Sequence, residues 1–294
     1  MIRHGMMALA AAALAGCAPE AGSGNNAAVA ANGANDGAAQ QTARVSLTRL
    51  DCGTATIKNF DAFFSDRPGL YEKGPREITD SCYLIRHRGP TGDQVMIWDT
   101  GFAAGLKGQS QDMGDLVARM DRTIVEQLAD LGIKAEDVDI VGISHMHPDH
   151  TGQAAQFVDA RLLIGKGDFE GTKGKDDPFG SWRTIAKNLT LVTSDTDIFG
   201  DGSVTALHLP GHTPDHLALL VRLPGGPVLL SGDLYHSADA RAKRGVPPFN
   251  TDRAQTLASM DQFEKLAKET GAKVIIQHEP RDNAKLPGVA KAAE

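Results

Sequence analysis

The stretch SHMHPDHTGQ, residues 144 to 153, places His145, His147, Asp149 and His150 within six positions of a chain that has ten histidines among 294 residues. Imidazoles and a carboxylate at this density read as metal ligands or proton carriers. The run VDIVGIS before it, at 138 to 144, is continuously apolar and branched, as expected of a strand buried on both faces. The ligand run therefore begins where that strand leaves its sheet. His145 and His147 stand two apart in extended chain and can point the same way. Pro148 then forces a turn that aims Asp149 and His150 elsewhere. One loop can thus serve two neighbouring cations, offering two nitrogens to one and an Asp/His pair to the other, and each cation still lacks ligands.

Candidates for the missing ligands stand at the ends of other apolar runs, where rigid elements can hold a site. LPGHTPDH follows the run at 204 to 209 and offers His212, LLSGD ends at Asp233, and VIIQHEP brings His278. A dinuclear hydrolytic centre needs about this set: His145, His147 and His212 on one ion, Asp149, His150 and His278 on the other, and Asp233 bridging. Two cations sharing a water lower its pKa from 15.7 to about 7, which gives a hydroxide at neutral pH beside a Lewis acid. His87, His208 and His216 are assigned structural places, with His216 a candidate to orient a neighbour by a hydrogen bond.

Positioning such a set takes sheets. Ten short β-rich runs punctuate the sequence, at 45–50, 82–87, 94–100, 138–144, 160–165, 189–193, 204–209, 217–223, 227–232 and 273–277, enough for two sheets. Helical periodicity is clear in DRTIVEQLADLG, with Ile124, Val125, Leu128 and Leu131 on one face and Gly132 at the end. It is clear again in TDRAQTLASMDQFEKLAKETG, with Leu257, Met260, Phe263 and Leu266, an Asp252/Gln255 start and a Gly271 stop.

The N-terminus differs in kind. MIRHGMMALAAAALAGC joins a basic start to a short apolar run, as an export signal over residues 1–16 does. Its LAGC resembles the lipobox of bacterial lipoproteins, which implies lipidation of Cys17; an ordinary cleaved signal is the alternative. Ala18 after the cysteine resembles the sorting pattern for the outer membrane, so the expected location is its periplasmic face. Residues 17–44 have no aromatic side chain and almost no branched apolar one, so they read as a tether rather than a folded unit. The catalytic domain is then 45–294. Removing residues 1–16 takes away only Arg3, leaving 29 basic against 37 acidic residues and a formal charge of −8; with no basic block, nucleic acid is excluded as a partner. Cys52 and Cys82 border strand-like segments; free buried thiols are the favoured reading, and an oxidising periplasm also permits a disulfide.

HMHPDHTG, PGHTPDH, SGD and the late QHEP, in that order, resemble the metallo-β-lactamase superfamily over residues 45 to about 290. The resemblance implies an α/β layered fold, an αββα sandwich of two mixed sheets flanked by helices with the metals at one edge. LDCG (50–53), FFSD (63–66), CYLIRH (82–87), WDTGF (98–102) and SGDLYH (231–236) are most similar to the N-acyl homoserine lactonases, the quorum-quenching branch. This implies hydrolytic opening of an acyl lactone ring by a metal-bridging hydroxide, with Asp149 passing a proton to the departing ring oxygen. A glyoxalase II-like thioesterase and a phosphotriesterase share the ligand set and are the alternatives. A zinc-storing envelope lipoprotein would also be histidine-rich, but storage favours flexible tracts rather than dispersed strand ends. The implied cofactors are two divalent ions, zinc first, with iron, cobalt or manganese as alternatives; a membrane enters only through the lipid anchor, and an oligomer is open.

In the resembling lactonases a tyrosine three residues after the bridging aspartate helps polarise the lactone carbonyl. Here Tyr235 comes two residues after Asp233, and His236 holds the third position. In extended chain the two face opposite sides, so one of them serves the site. The expectation favours His236, with Tyr235 carried as the other candidate. An acyl groove is expected from Phe63, Phe64, Tyr71 and the segment from Phe102 to Met120.

Overall fold

The computed structural model describes residues 44–90, 92–174, 176–184 and 188–288. The expected signal, Cys17 and the tether up to residue 43 lie outside the described residues. Each expected strand run falls on a strand. β1 (Arg44–Ile57), β2 (Arg76–Gly89), β3 (Gly92–Trp98), β4 (Gln109–Asp112), β5 (Leu116–Met120), β6 (Ile140–Ile143), β7 (Arg161–Gly165) and β8 (Leu189–Val192) form one sheet in the order β4-β5-β1-β2-β3-β6-β7-β8. The second sheet holds β9 (Thr196–Asp197), β10 (Val204–His208), β11 (Leu217–Leu223), β12 (Gly226–Leu230) and β13 (Lys273–Ile275) in the order β13-β12-β11-β10-β9. Both are mixed: β3, β6, β7 and β8 pair in parallel, as do β12 and β13, and the remaining pairs are antiparallel.

The helices are α1 (Phe60–Phe64), α2 (Ile124–Asp130), α3 (Pro148–Thr151), α4 (Lys166–Gly171), α5 (Gly180–Thr184), α6 (Ala238–Lys243), α7 (Arg253–Thr270) and α8 (Pro280–Asn283). Between the sheets, alternate residues of β1, β2 and β3 such as Leu47, Tyr83 and Trp98 pack on Leu217, Leu219 and Leu230. The outer face of the larger sheet is covered by α2, α4 and α5 through Leu128, Phe169 and Trp182. Met260 and Phe263 of α7 cover the smaller one. This is the αββα sandwich. Thr123 and Glu126 cap α2 reciprocally, and Asp252 accepts from the Gln255 backbone N–H to start α7 while Gly271, at φ 63°, ends it.

One expectation is corrected, and one hairpin is added to the expected strands. Cys52 and Cys82 form a disulfide rather than free thiols, because β1 and β2 pair beside them and bring the Cα atoms to 5.8 Å. The segment 109–120 is also a hairpin, β4–β5, which adds two strands to the sheet edge. Its first strand, QSQD, is wholly exposed and carries no hydrophobic alternation to reveal it.

Candidate metal centre

Five strands end at one edge of the sandwich, each delivering part of the site. β3 leads to Asp99, β6 to His145 and His147, β10 to His212, β12 to Asp233 and β13 to His278. After β6 the chain turns at His147, the N-cap of α3, where Pro148 occupies the first turn without wasting a backbone donor. Asp149 and His150 therefore ride a single helical turn, pinned where Thr100 N–H donates to the His150 carbonyl at 2.7 Å. Asp168 holds the other side of the loop by accepting the Met146 N–H at 2.9 Å.

The donors fall into two groups: His145, His147, His212 and Asp233, and Asp149, His150 and His278. In the first group His147 Nδ1 lies 2.9 Å from His145 Nε2 and 3.1 Å from His212 Nε2. Asp233 Oδ2 lies 3.6 and 3.5 Å from the same two Nε2 atoms. Four donors ~2.05 Å from a tetrahedral ion stand ~3.3 Å apart, so this spacing is that of a ligand shell. The other oxygen of the same carboxylate, Oδ1, lies 2.9 Å from His278 Nε2 and 3.3 Å from His150 Nε2. Asp233 thus presents one oxygen to each group. His150 Nε2 and Asp233 Oδ1 are buried without an aligned hydrogen-bond partner, facing the common centre as ligand atoms do. The residues fit two divalent cations.

Outer partners fix which ring nitrogen points inward. A carbonyl or carboxylate oxygen can only accept, so His278 Nδ1–H donates to Thr79 O at 2.8 Å, His212 Nδ1–H to Asn250 Oδ1 at 2.9 Å and His150 Nδ1–H to Asp99 Oδ2 at 3.1 Å. Each leaves Nε2 turned to the centre. Asp99 is fully buried in the left-handed region at φ 60°, and its other oxygen accepts the Ser144 N–H at 2.6 Å. Gln277 Nε2 donates to Asp99 Oδ2 at 2.9 Å. His216 donates Nδ1–H to Leu209 O and accepts the Asp233 backbone N–H at Nε2, 3.1 and 3.0 Å. It therefore holds the backbone of Asp233 in place, the orienting hydrogen bond for which the sequence makes His216 a candidate. A Cβ on Gly232, at φ 52°, would stand 2.6 Å from that Nε2, so only glycine allows the contact.

Burial is the largest influence on the three imidazoles of the first group: it holds His145 and His212 well below the usual histidine range and His147 below it, in the neutral form a metal requires. For His150 and His278 burial acts in the same direction but is outweighed by carboxylates, Asp233 foremost, so His150 is held well above its usual range and His278 is pushed up to about 9. Protons on these two rings meet a demand for positive charge that divalent cations would also meet.

His236 and Tyr235 separate as alternation requires. The His236 ring is buried between Phe64 and His278, centroids 4.3 and 5.9 Å away, with Nε2 3.1 Å from Asp233 Oδ2 but off the line of a hydrogen bond. Burial, opposed by Asp233, holds it below the ordinary imidazole range. Tyr235 is corrected: it points into the α7 interface, where its hydroxyl donates to Glu264 Oε1 at 2.9 Å, and it has no place at the centre. His87 and His208 pair with Asp201 and Asp215 outside the donor groups, each at 2.7 Å. A cleft of about 340 Å³ opens onto the donors, lined on its apolar side by Ile57, Phe63, Phe64, Phe102, Met113 and Leu116. Tyr71 is not on its wall but packs edge-on against Phe60 beneath it. Phe249, which the sequence reading passed over, is on the wall.

Sheets, layers and a paired donor set at one edge define a metal-dependent hydrolase. The chain belongs to the metallo-beta-lactamase superfamily, whose family model matches residues 77–278. It is 34% identical over 225 residues to an N-acyl homoserine lactonase of Azorhizobium caulinodans, covering 69% of this chain and 83% of that protein. It is 25% identical to an N-acyl homoserine lactonase of a Bacillus species over 70% of this chain and 84% of the relative. A solved N-acyl homoserine lactone hydrolase with N-hexanoyl-L-homoserine at its catalytic metal centre superposes with TM-score 0.70 at 18% identity, over 86% of this chain and all of the other. A dizinc quorum-quenching lactonase superposes with TM-score 0.61 at 17% identity, over 80% and 88%.

Proposed function

We propose that this enzyme opens the ring of N-acyl homoserine lactones, using two divalent cations, zinc in the first instance. The observation that carries the reading is the continuity of the apolar cleft with the donor groups: a fatty acyl chain can lie along Ile57, Phe63, Phe64 and Phe102 while its lactone carbonyl reaches the ligand edge. When bound, the cations polarise that carbonyl and acidify water to a pKa of about 7. The chain's own residues do the rest. Asp233 holds the two ligand groups at a fixed separation. Asp149, with its carboxylate oxygens 4.0 Å from His150 Nε2 and 3.9 Å from His278 Nε2, borders the cleft and is placed to carry a proton to the ring oxygen as it leaves. His236, a neutral imidazole walled by Phe64, donates a hydrogen bond to the carbonyl oxygen as negative charge develops there.

The full chain loaded with zinc and offered acyl homoserine lactones, simple esters, S-lactoylglutathione, a chromogenic cephalosporin and a phosphotriester is expected to turn over the lactones fastest and to lose activity to a chelator. Preference for the thioester or the phosphotriester would overturn the substrate and leave the fold intact. The reading extends to location: Cys17 carries lipid and holds the enzyme on the periplasmic face of the outer membrane, where diffusing acyl lactones pass. Processing that globomycin blocks is the expected result, and a Cys17→Ser protein that still fractionates with membranes would rule the anchor out.

A further inference from the structure

Asp80 is an ionisable group on the cleft wall that belongs neither to the ligand set nor to the residues given a part in the reaction. It lies on β2 between Ile78, also on the wall, and the buried Cys82, and is 2% exposed. Both carboxyl oxygens lack a hydrogen-bond partner. The topology explains why none is supplied. Its partner across β1 is Gly53, which has no side chain, and β3 pairs with β2 only as far as Tyr83. Charged neighbours Asp149, His150, His278 and Asp99 surround it from the metal end, and burial, with Asp149 next, holds the carboxyl well above its ordinary range. Burying a carboxyl without a partner is costly, and such a group persists where the partner arrives with the ligand.

We propose that Asp80 is a specificity-determining residue whose carboxyl oxygen accepts the amide N–H of the substrate. The assignment rests on the lactonase reading. In an N-acyl homoserine lactone the amide nitrogen is bonded to the carbon next to the reacting carbonyl, so covalent geometry keeps it ~2.5 Å from the carbon attacked. Its acceptor must therefore stand at the metal end of the cleft, beside Asp149 and His278, rather than along the aromatic wall. Asp80 stands there. Thr79, the adjacent polar wall residue, is already engaged: its carbonyl accepts from His278 and its hydroxyl from Asn283 Nδ2 at 2.7 Å. A site built to accept an N–H rejects an analogue that lacks it, because the buried acceptor is then left unpaired.

The test compares an N-acyl homoserine lactone with the γ-butyrolactone of equal chain length in which CH₂ replaces the N–H, on zinc-loaded full-length wild type, Asp80→Val and Asp80→Asn. Wild type is expected to favour the amide by about 10- to 100-fold in kcat/KM. Asp80→Val should lose that factor on the amide, mainly through KM, and change by less than about twofold on the CH₂ analogue. Asp80→Asn keeps an acceptor oxygen and should retain the preference. Zinc content should be unchanged, and Asp80→Val should melt no lower than wild type, since an unpaired buried carboxyl is replaced by an apolar strand former. A wild type that opens neither lactone overturns the lactonase reading and this assignment with it. A wild type that opens both, with Asp80→Val weakened equally on both or on neither, overturns the role of Asp80 alone.

Discussion

Asp233 concentrates the chemistry of the site in one side chain, because its two oxygens face different donor groups while its backbone N–H is held by His216. Asp233→Asn keeps that backbone bond and the side-chain volume but replaces one of the two donor oxygens by an NH₂ that cannot ligate. The expected result is a folded protein that binds one ion tightly instead of two, with turnover lowered by about 10²-fold or more. Metal analysis finding two tightly held ions and unchanged turnover would remove Asp233 from the bridge. His236 and Tyr235 make the complementary pair. If His236 donates to the oxyanion as proposed, His236→Ala should cost ~10²-fold in kcat with metal content intact. Tyr235→Phe gives up only the bond to Glu264, about 1 kcal/mol of stability, and should leave kcat within about twofold. A large kcat loss in the tyrosine variant and none in the histidine variant would reverse the assignment.

At the level of elements, strands were legible wherever apolar runs had to be buried on two faces, as with 138–144 and 217–223, and opaque where exposure removed the pattern, as in β4. The ligands were legible because each stands directly past such a strand. Asp99 occupies an equivalent place in WDTGF, after β3, and the same reasoning that picked Asp233 out of LLSGD would have found it. Asn250, Asp168 and Asp80 had no such signal: they come to the site through loop closure, a helix start and strand register, which depend on the whole fold. The disulfide belongs to this level as well, since thiols 30 residues apart meet only once β1 and β2 have paired. Closing a loop of that length constrains the unfolded chain by about 3.6 kcal/mol in the entropy model. Cys52→Ala/Cys82→Ala is expected to lose about 2–4 kcal/mol in urea unfolding and to keep its metal, because the bond staples the strands that support the cleft rather than the donors themselves. An unfolding midpoint equal to wild type would show that the bond contributes nothing to stability.

Across the whole molecule, the donor set ties the two sheets to each other. His145, His147, Asp149 and His150 follow β6 of the larger sheet, whereas His212, Asp233 and His278 come from the ends of β10, β12 and β13 of the smaller one. Cations held by these residues would draw ligands from both sheets and would have no comparable site in the unfolded chain, so their binding free energy would be added to folding. Without them, the buried carboxylate of Asp233 has only the surrounding buried imidazoles to compensate its charge. At free metal a hundredfold above Kd, each ion stabilises by about 2.7 kcal/mol, and a domain of roughly 250 residues gains about 2–4 °C per kcal/mol. Chelation should therefore lower Tm by roughly 5–11 °C for each ion removed, and titrating zinc back should restore it in a concentration-dependent way. Asp233→Asn, holding one ion, should show a single such step, half of the total shift of the wild type. A stripped protein, verified free of metal, that melts where the loaded one does would mean the sheets are held by their apolar interface alone and that the ions act only in the chemistry.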